Sequence, residues 1–374
     1  MKKFIIDRLV DRENLCNLKN ETSQINNLIE KKADIVIYAP RNYGKTSLVK
    51  NIIIDDFKNQ HKKGFVFFAD LYGVKDMNGL INRIMRAFEI SFAESFPIEN
   101  TLKQIKTLFS NLRPEMSFDP ITGAPNFSLG ILPNHKEYSL DYLFQLMQEI
   151  AKKTPTLIVI DEFQDIIFVN EAQALLRTIF QEIQNIPIIL LGSKRHILNN
   201  IFSNPEAPLA AWGVDVEIPP IPYKEYQEYM NERFSPFELK INLEEATSLQ
   251  DLLYRVPESI NIVCQQIIDQ NFQGLITQDI IRSALKSVLD LRSRRYETQL
   301  SNCSKAEESL LIALAKLSKI AKPQSKLFVE KTKITNRSIA KIIQKMMDHG
   351  VIEKVEGFYR ISNPLLSYYL EVYR

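Results

Sequence analysis

Along the first half of the chain, short apolar runs alternate with longer segments whose apolar residues recur at helical spacing. Four runs read as strands: ADIVIYAP (Ala33 to Pro40), GFVFFADLYG (Gly64 to Gly73), TPTLIVIDEF (Thr154 to Phe163) and IPIILLGS (Ile186 to Ser193). Their near-continuous hydrophobicity is that of strands covered on both faces. TSLVKNIIIDDF, MNGLINRIMRAFEISFAESF and EAQALLRTIFQEIQ, which fall between strands, read as helices. Strands alternating with helices predict an α/β domain built on a mostly parallel sheet with right-handed crossovers. The pattern breaks between Arg113 and Asn134, where proline and glycine are frequent. There FDPITGAPNFSLGI reads as a hairpin inserted into the sheet domain.

After Val216 the character changes. IPPIPYKEYQEYMNERF has a proline-rich entry followed by a helix, and helical segments continue to about Gln299. The remaining residues predict helix, helix, helix, hairpin. AEESLLIALAKLS is the first helix, and PQSKLFVEK, opened by Pro323, is the second. In NRSIAKIIQKMMDHG, residues Ile339, Ile342, Ile343, Met346 and Met347 form one apolar face, with Gly350 placed to end the helix. VIEKVEGFYRI then makes two short strands around Glu356 and Gly357. That order is a winged helix-turn-helix. The expected division is therefore a sheet domain at 1–216, a helical domain at 217–300 and a winged helix at 301–374.

Composition narrows the class without naming a chemistry. The 374 residues are 45% hydrophobic and 25% charged, with a net charge of +2. This suits a soluble multidomain protein and argues neither for nor against nucleic acid as a partner. No stretch of about 18 apolar residues occurs, so no membrane span is expected. The apolar run near the N-terminus, FII, is too short for a signal peptide. Three scattered cysteines and four scattered histidines show no ligand spacing, which predicts no metal site built on them and a reducing cytoplasmic setting.

The chemistry lies at the strand ends. After the first strand comes Ala39-Pro40-Arg41-Asn42-Tyr43-Gly44-Lys45-Thr46-Ser47, a phosphate-binding loop whose first glycine is alanine. Backbone N–H groups at a helix N-terminus converge on phosphate oxygens. Gly44 lets the backbone approach, Lys45 reaches the β- and γ-phosphates, and Thr46 ligates Mg²⁺ through its hydroxyl. Alanine costs little at the first position unless positive φ is required there. The strand TLIVID ends in Asp161, suited to hold Mg²⁺, and Glu162, suited to polarise an attacking water. Ser193 at the tip of IILLGS faces the γ-phosphate or the water if its strand lies between the other two.

The loop PRNYGKTSL, the strand end VIDEFQ, the strand ILLGS and the stretch YRISNPLLSYYL together resemble the archaeal-type prokaryotic ATPases. Those belong to the STAND branch of the AAA-related P-loop NTPases, kin to origin-recognition and replication-initiator ATPases. The resemblance implies an AAA-like ATPase core, a helical lid and a winged helix, with ATP and Mg²⁺ as cofactors and hydrolysis serving as a conformational switch. It also implies that Arg12, in LVDRENLCNLKN, packs near the adenine, and that Pro257, in YRVPES, matches the lid motif. Two departures stand out. Trp212, in PLAAWG, occupies the place of an expected arginine, and Tyr254 and Arg255 replace two glycines of the lid. Arg195 and Arg255 are the candidate substitutes for the missing arginine, whose loss would slow hydrolysis while leaving binding intact.

Between Ser304 and Arg374 there are 13 Lys and Arg against 7 Asp and Glu. Arg337, Lys341 and Lys345 recur every fourth residue on the third helix of this region, opposite its apolar face, as phosphate contacts require. A solvated helix face, a protein-docking surface and a DNA-binding surface all fit that stripe. Arg292, Arg294 and Arg295 leave the same choice open. The readings carried forward are a nucleotide-controlled ATPase switch, an ATP-regulated DNA-binding protein of initiator or transposition-regulator type, and a hydrolysis-deficient scaffold that docks partner proteins or self-associates.

Overall fold

The computed structural model of the chain describes residues 2–16, 18–96, 114–118, 125–129 and 137–374. The apolar runs form the strands expected of them. β1 (Ile35–Tyr38), β5 (Thr156–Asp161) and β6 (Ile188–Gly192) are buried at every residue. With β2 (Phe65–Asp70) and β7 (Val214–Glu217) they make a five-stranded sheet in the order β2-β5-β6-β1-β7. Every pairing in it is parallel. Phe67 sits opposite Ile158, Ile160 opposite Leu190, and Ile37 opposite Leu191. The strands are thus in register, and their carboxyl ends share one edge. β6 does lie between β5 and β1.

Helices cover the sheet. α1 (Lys19–Glu30) precedes β1, and α2 (Lys45–Leu48) follows it. A π-helical turn, Val49–Ile53, joins α2 to α3 (Ile54–Gln60). α4 (Met77–Ser95) is capped by Asp76, whose side chain accepts from the Gly79 N–H at 2.8 Å. β3 (Pro114–Phe118) and β4 (Pro125–Leu129) pair antiparallel as the expected hairpin. Its turn, with the remainder of the stretch up to Asn134, lies outside the described residues. α5 (Glu137–Ala151) leads into β5, α6 (Ala172–Glu182) into β6, and α7 (Arg195–Phe202) follows β6. Phe67, Phe144, Ile158, Leu190 and Trp212 belong to the core these elements enclose.

The chain divides into two compact units. This sheet with its helices, Lys19–Ala39 and Leu48–Ile218, is one; Met1–Leu18, Pro40–Ser47 and Pro219–Arg374 form the other. The second unit holds α8 (Tyr223–Phe234), β8 (Leu239–Lys240), α9 (Leu243–Leu252), α10 (Pro257–Asp269), β9 (Gly274–Leu275) and α11 (Gln278–Ser301). Its N-terminal segment is locked to α8. Phe4 lies in the core with Tyr229 and Phe234. Arg233, 1% exposed, donates to the carbonyls of Lys3, Tyr229 and Asn14.

The winged helix follows as α12 (Lys305–Leu317), α13 (Lys326–Thr332), α14 (Asn336–Asp348), β10 (Ile352–Val355), β11 (Phe358–Ile361) and α15 (Pro364–Tyr373). Pro323 does not open α13. The Ser325 N–H bonds to the Lys322 carbonyl at 3.0 Å, which places Pro323 in the second position of a turn, where its fixed φ also fits. Glu356 and Gly357, both at positive φ, join β10 to β11 as a two-residue hairpin loop. Leu365, Leu366, Tyr369 and Leu370 of α15 are buried, so the leucine- and tyrosine-rich segment is core.

Candidate functional site

The phosphate loop leaves the sheet at the carboxyl end of β1. Ala39 still belongs to the sheet, its N–H bonded to the Gly192 carbonyl at 3.4 Å, so the first loop position is strand-like and alanine suffices. Asn42 and Gly44 take left-handed φ of 64° and 82°. Asparagine and glycine are the residues that tolerate this region best. Pro40 and Arg41 lead into that turn, Arg41 and Asn42 being exposed. Tyr43, Lys45 and Ser47 are buried, Lys45 to 7% exposure, and Lys45 and Thr46 begin α2. Ser47 Oγ accepts from the Val10 N–H at 3.0 Å, tying the loop to the N-terminal segment. Arg12 in that segment is exposed.

The carboxyl ends of β5 and β6 carry the acids and the serine. Asp161 is 3% exposed, and one of its carboxylate oxygens accepts from the Glu162 N–H at 2.8 Å. Glu162 turns out of the strand at φ 51°, a left-handed conformation unusual for glutamate. That turn separates the two neighbouring acids in direction. Glu162 Oε2 accepts from Ser193 Oγ at 3.3 Å and from Gln164 Nε2. Gln164, fully buried, closes the ring by accepting from the Ser193 N–H at 3.2 Å. Gly192 makes room for it, because a Cβ there would lie 2.6 Å from Gln164 Oε1. Behind Gln164, Asp165 accepts from the Gly73 N–H at 2.9 Å and pairs with Lys194 at 3.6 Å. Glu162 and Ser193 are therefore joined. Gln164, Asp165 and Lys194 were not foreseen, although the run DEFQD held the signal.

Two residues tied to the missing arginine have structural partners of their own. Trp212 is 8% exposed and packs on Phe180 and Phe202 at 5.3 and 6.1 Å between ring centroids. It is a core residue, and an arginine in its place would have its charge buried against aromatic rings. Arg255 stacks on Tyr223 at 4.2 Å and donates to the Ile221 carbonyl, so its guanidinium serves the helical region. Tyr254 and Arg255 both take the left-handed backbone that glycine adopts most readily, with φ of 55° and 57°. Each such residue costs about 1–2 kcal/mol relative to glycine. Pro257 begins α10, and its carbonyl accepts from the Tyr226 hydroxyl at 3.0 Å.

The basic stripe on α14 is shorter than predicted. Lys345 is paired with Glu307 at 2.6 Å, which leaves Arg337 and Lys341 as its exposed members beyond that pair. Glu307 also completes a capping box with Ser304 at the start of α12. The Lys345 ammonium and the Ser304 N–H hold its carboxyl well below the usual range, at about 2.

A five-stranded parallel sheet with flanking helices, a glycine-lysine-threonine loop on one strand and an acid pair on another is a P-loop ATPase fold. Residues 10–190 match the model of a family described as an ATPase domain predominantly from Archaea, and residues 294–372 match that of a probable winged helix domain. The first half of the chain thus matches an archaeal-type ATPase domain, and its last fifth a winged helix domain. Among solved structures it is similar in fold to a Walker-type ATPase of Pyrococcus abyssi, with a TM-score of 0.66 and 16% identity over 99% of both chains. The ORC2 protein of Aeropyrum pernix, with ADPNP and ADP, gives 0.55 and 13% over 98% of this chain and 96% of that one. The ORC1 protein of the same organism, in complex with DNA, gives 0.51 and 13% over 98% and 94%. No curated protein matches the sequence. Among the described residues no helix is long and apolar enough to cross a membrane.

Proposed function

We propose that the chain is a Mg²⁺-dependent ATPase whose nucleotide state sets the arrangement of a helical lid, 217–300, and the winged helix. The observation that carries this reading is Glu162. It is turned out of β5 and held by Ser193 and Gln164 beside the buried Asp161. In this reading the loop residues Pro40 to Ser47 wrap the phosphates, Arg12 and Pro257 border the nucleoside, and Lys45 carries charge to the phosphate oxygens. Thr46 and Asp161 offer a hydroxyl and a carboxylate, the hard oxygen donors that Mg²⁺ prefers. When bound, the metal would neutralise phosphate charge. Glu162 orients a water and takes its proton, while Ser193 and Gln164 fix the carboxylate that does so. The three cysteines are unpaired, which supports a reducing, cytoplasmic compartment.

The test is Lys45→Ala, measured by titration with ATP in the presence of Mg²⁺. Removing a charged donor to phosphate is expected to cost about 1.5–3 kcal/mol, or roughly 10- to 150-fold in affinity. Binding equal to the parent would refute the site. A second reading, DNA binding controlled by ATP, is favoured by exposed Arg337 and Lys341 on α14 and by the DNA complex of the similar ORC1 protein. It predicts salt-dependent duplex binding that weakens in Arg337→Ala and Lys341→Ala. No binding at low salt, with or without ATP, would dismiss it in favour of a protein-docking role.

A further inference from the structure

Tyr43 stands directly before Gly44 in the phosphate loop and is only 6% exposed. Its hydroxyl donates to the main-chain carbonyl of Tyr254 at 3.1 Å. Tyr254 and Arg255 are consecutive left-handed residues with full side chains. Such backbone persists where its surroundings over-determine it. Here they do. The Tyr254 hydroxyl donates to Ser367 Oγ at 3.1 Å, and the Arg360 guanidinium lies 4.4 Å from the centre of its ring. Arg360 is itself held by Glu353 at 2.6 Å across the hairpin.

One residue of the helical region therefore touches the phosphate loop through its carbonyl and the winged helix through its ring and hydroxyl. Ser367 lies on α15 and Arg360 on β11. The direction of the Tyr254 carbonyl follows from its left-handed backbone, which those two winged-helix contacts hold. Tyr43 leans on that carbonyl, and the N–H of Gly44 comes next in the chain.

We propose that Tyr254 is a positioning residue: it links the arrangement of the winged helix to that of the phosphate loop through Tyr43, and so sets nucleotide affinity. The proposal rests on nucleotide binding by this loop. A loop held in its binding geometry before the ligand arrives binds more tightly than a slack one. Linkage is reciprocal, so nucleotide on the loop biases the winged helix by the same factor.

The experiment is calorimetric titration of the full chain with a slowly hydrolysed ATP analogue and Mg²⁺. Tyr254→Phe keeps the ring beneath Arg360 and removes only the bond to Ser367, which Ser367→Ala removes from the other side. Each is expected to weaken affinity about fivefold, the loss of one neutral hydrogen bond. The double variant should lose no more than either single, because both remove the same bond. Ile352→Val, at a buried winged-helix position outside the relay, should lower the melting temperature and leave affinity unchanged. A merely structural role for Tyr254 would make its variant behave like Ile352→Val. Parent-like affinity in Tyr254→Phe or Ser367→Ala, or losses that add in the double, would overturn the relay while Lys45→Ala still weakened binding. A parent that binds no analogue would overturn the proposed function and the relay with it.

Discussion

Replacing Trp212 by arginine would restore the residue type that the family resemblance leads one to expect after the serine-tipped strand. The structure predicts that the change destabilises the sheet unit rather than speeding hydrolysis. The indole is 8% exposed and stacks against Phe180 and Phe202. Truncating such a side chain costs about 3–5 kcal/mol. Arginine keeps some aliphatic packing, but its guanidinium must either stay buried without a carboxylate or force a path to water. A loss of about 3–5 kcal/mol is therefore expected here as well. In a unit of this size each kcal/mol moves the melting temperature about 2–4 °C, so Trp212→Arg should melt roughly 6–20 °C below the parent. Trp212→Phe keeps the aromatic stack and should lose no more than about half as much. The assay is thermal unfolding followed by circular dichroism, paired with single-turnover hydrolysis corrected for the folded fraction. A Trp212→Arg protein that melts with the parent and turns over faster would show the core assignment to be wrong.

Glu162→Gln should keep nucleotide affinity and lower turnover by about 10²-fold or more, read in single-turnover assays. Gly192→Ala should drive a Cβ into Gln164 and Leu198, lowering stability by about 1–3 kcal/mol and displacing the amide that holds Glu162. Its turnover should fall beyond what the folded fraction explains. Burial pushes the Asp34 carboxyl up to about 6. An acid whose folded pKa is raised loses stability as pH climbs from its unfolded value towards 6. Asp34→Asn should therefore gain in melting temperature relative to the parent across that window and hold the gain above it, while still accepting from the Ile188 N–H. Glu307 is the opposite case, with a folded value near 2. The stability that Glu307→Gln lacks relative to the parent should be full above pH 4.5 and vanish as pH falls towards 2.

What was readable in the chain was whatever depended on neighbours in sequence. β1, β5 and β6 were legible because a strand buried on both faces needs an unbroken apolar run. The loop and the Asp161-Glu162 pair were legible because each motif is contiguous. β7 was not: VDVE is four residues long with Val216 alone buried, and only its pairing with β1 makes it a strand. α1 escaped notice because Ile25 and Ile29 are its only buried residues among polar ones. Gln164 gained its place from β6, a strand contributed by a later stretch of sequence. Lys345 left the basic stripe for Glu307, 38 residues away, a distance that no helical periodicity reports. The packing of Trp212 on Phe180 and Phe202 was not legible, because likeness to a family supplies a position along the chain, not the side chains around it.

β7 also bears on how copies of this protein can meet. Among the described residues it is the outermost strand on its side of the sheet, so one row of its main-chain donors and acceptors has no described strand beside it. A long, apolar margin of that kind invites another chain to zip onto it. Here the margin is short, and Asp215 and Glu217 project from it, so two copies laid side by side would set like charges against each other. The β7 margin is thereby guarded against growth of the sheet from one copy into the next.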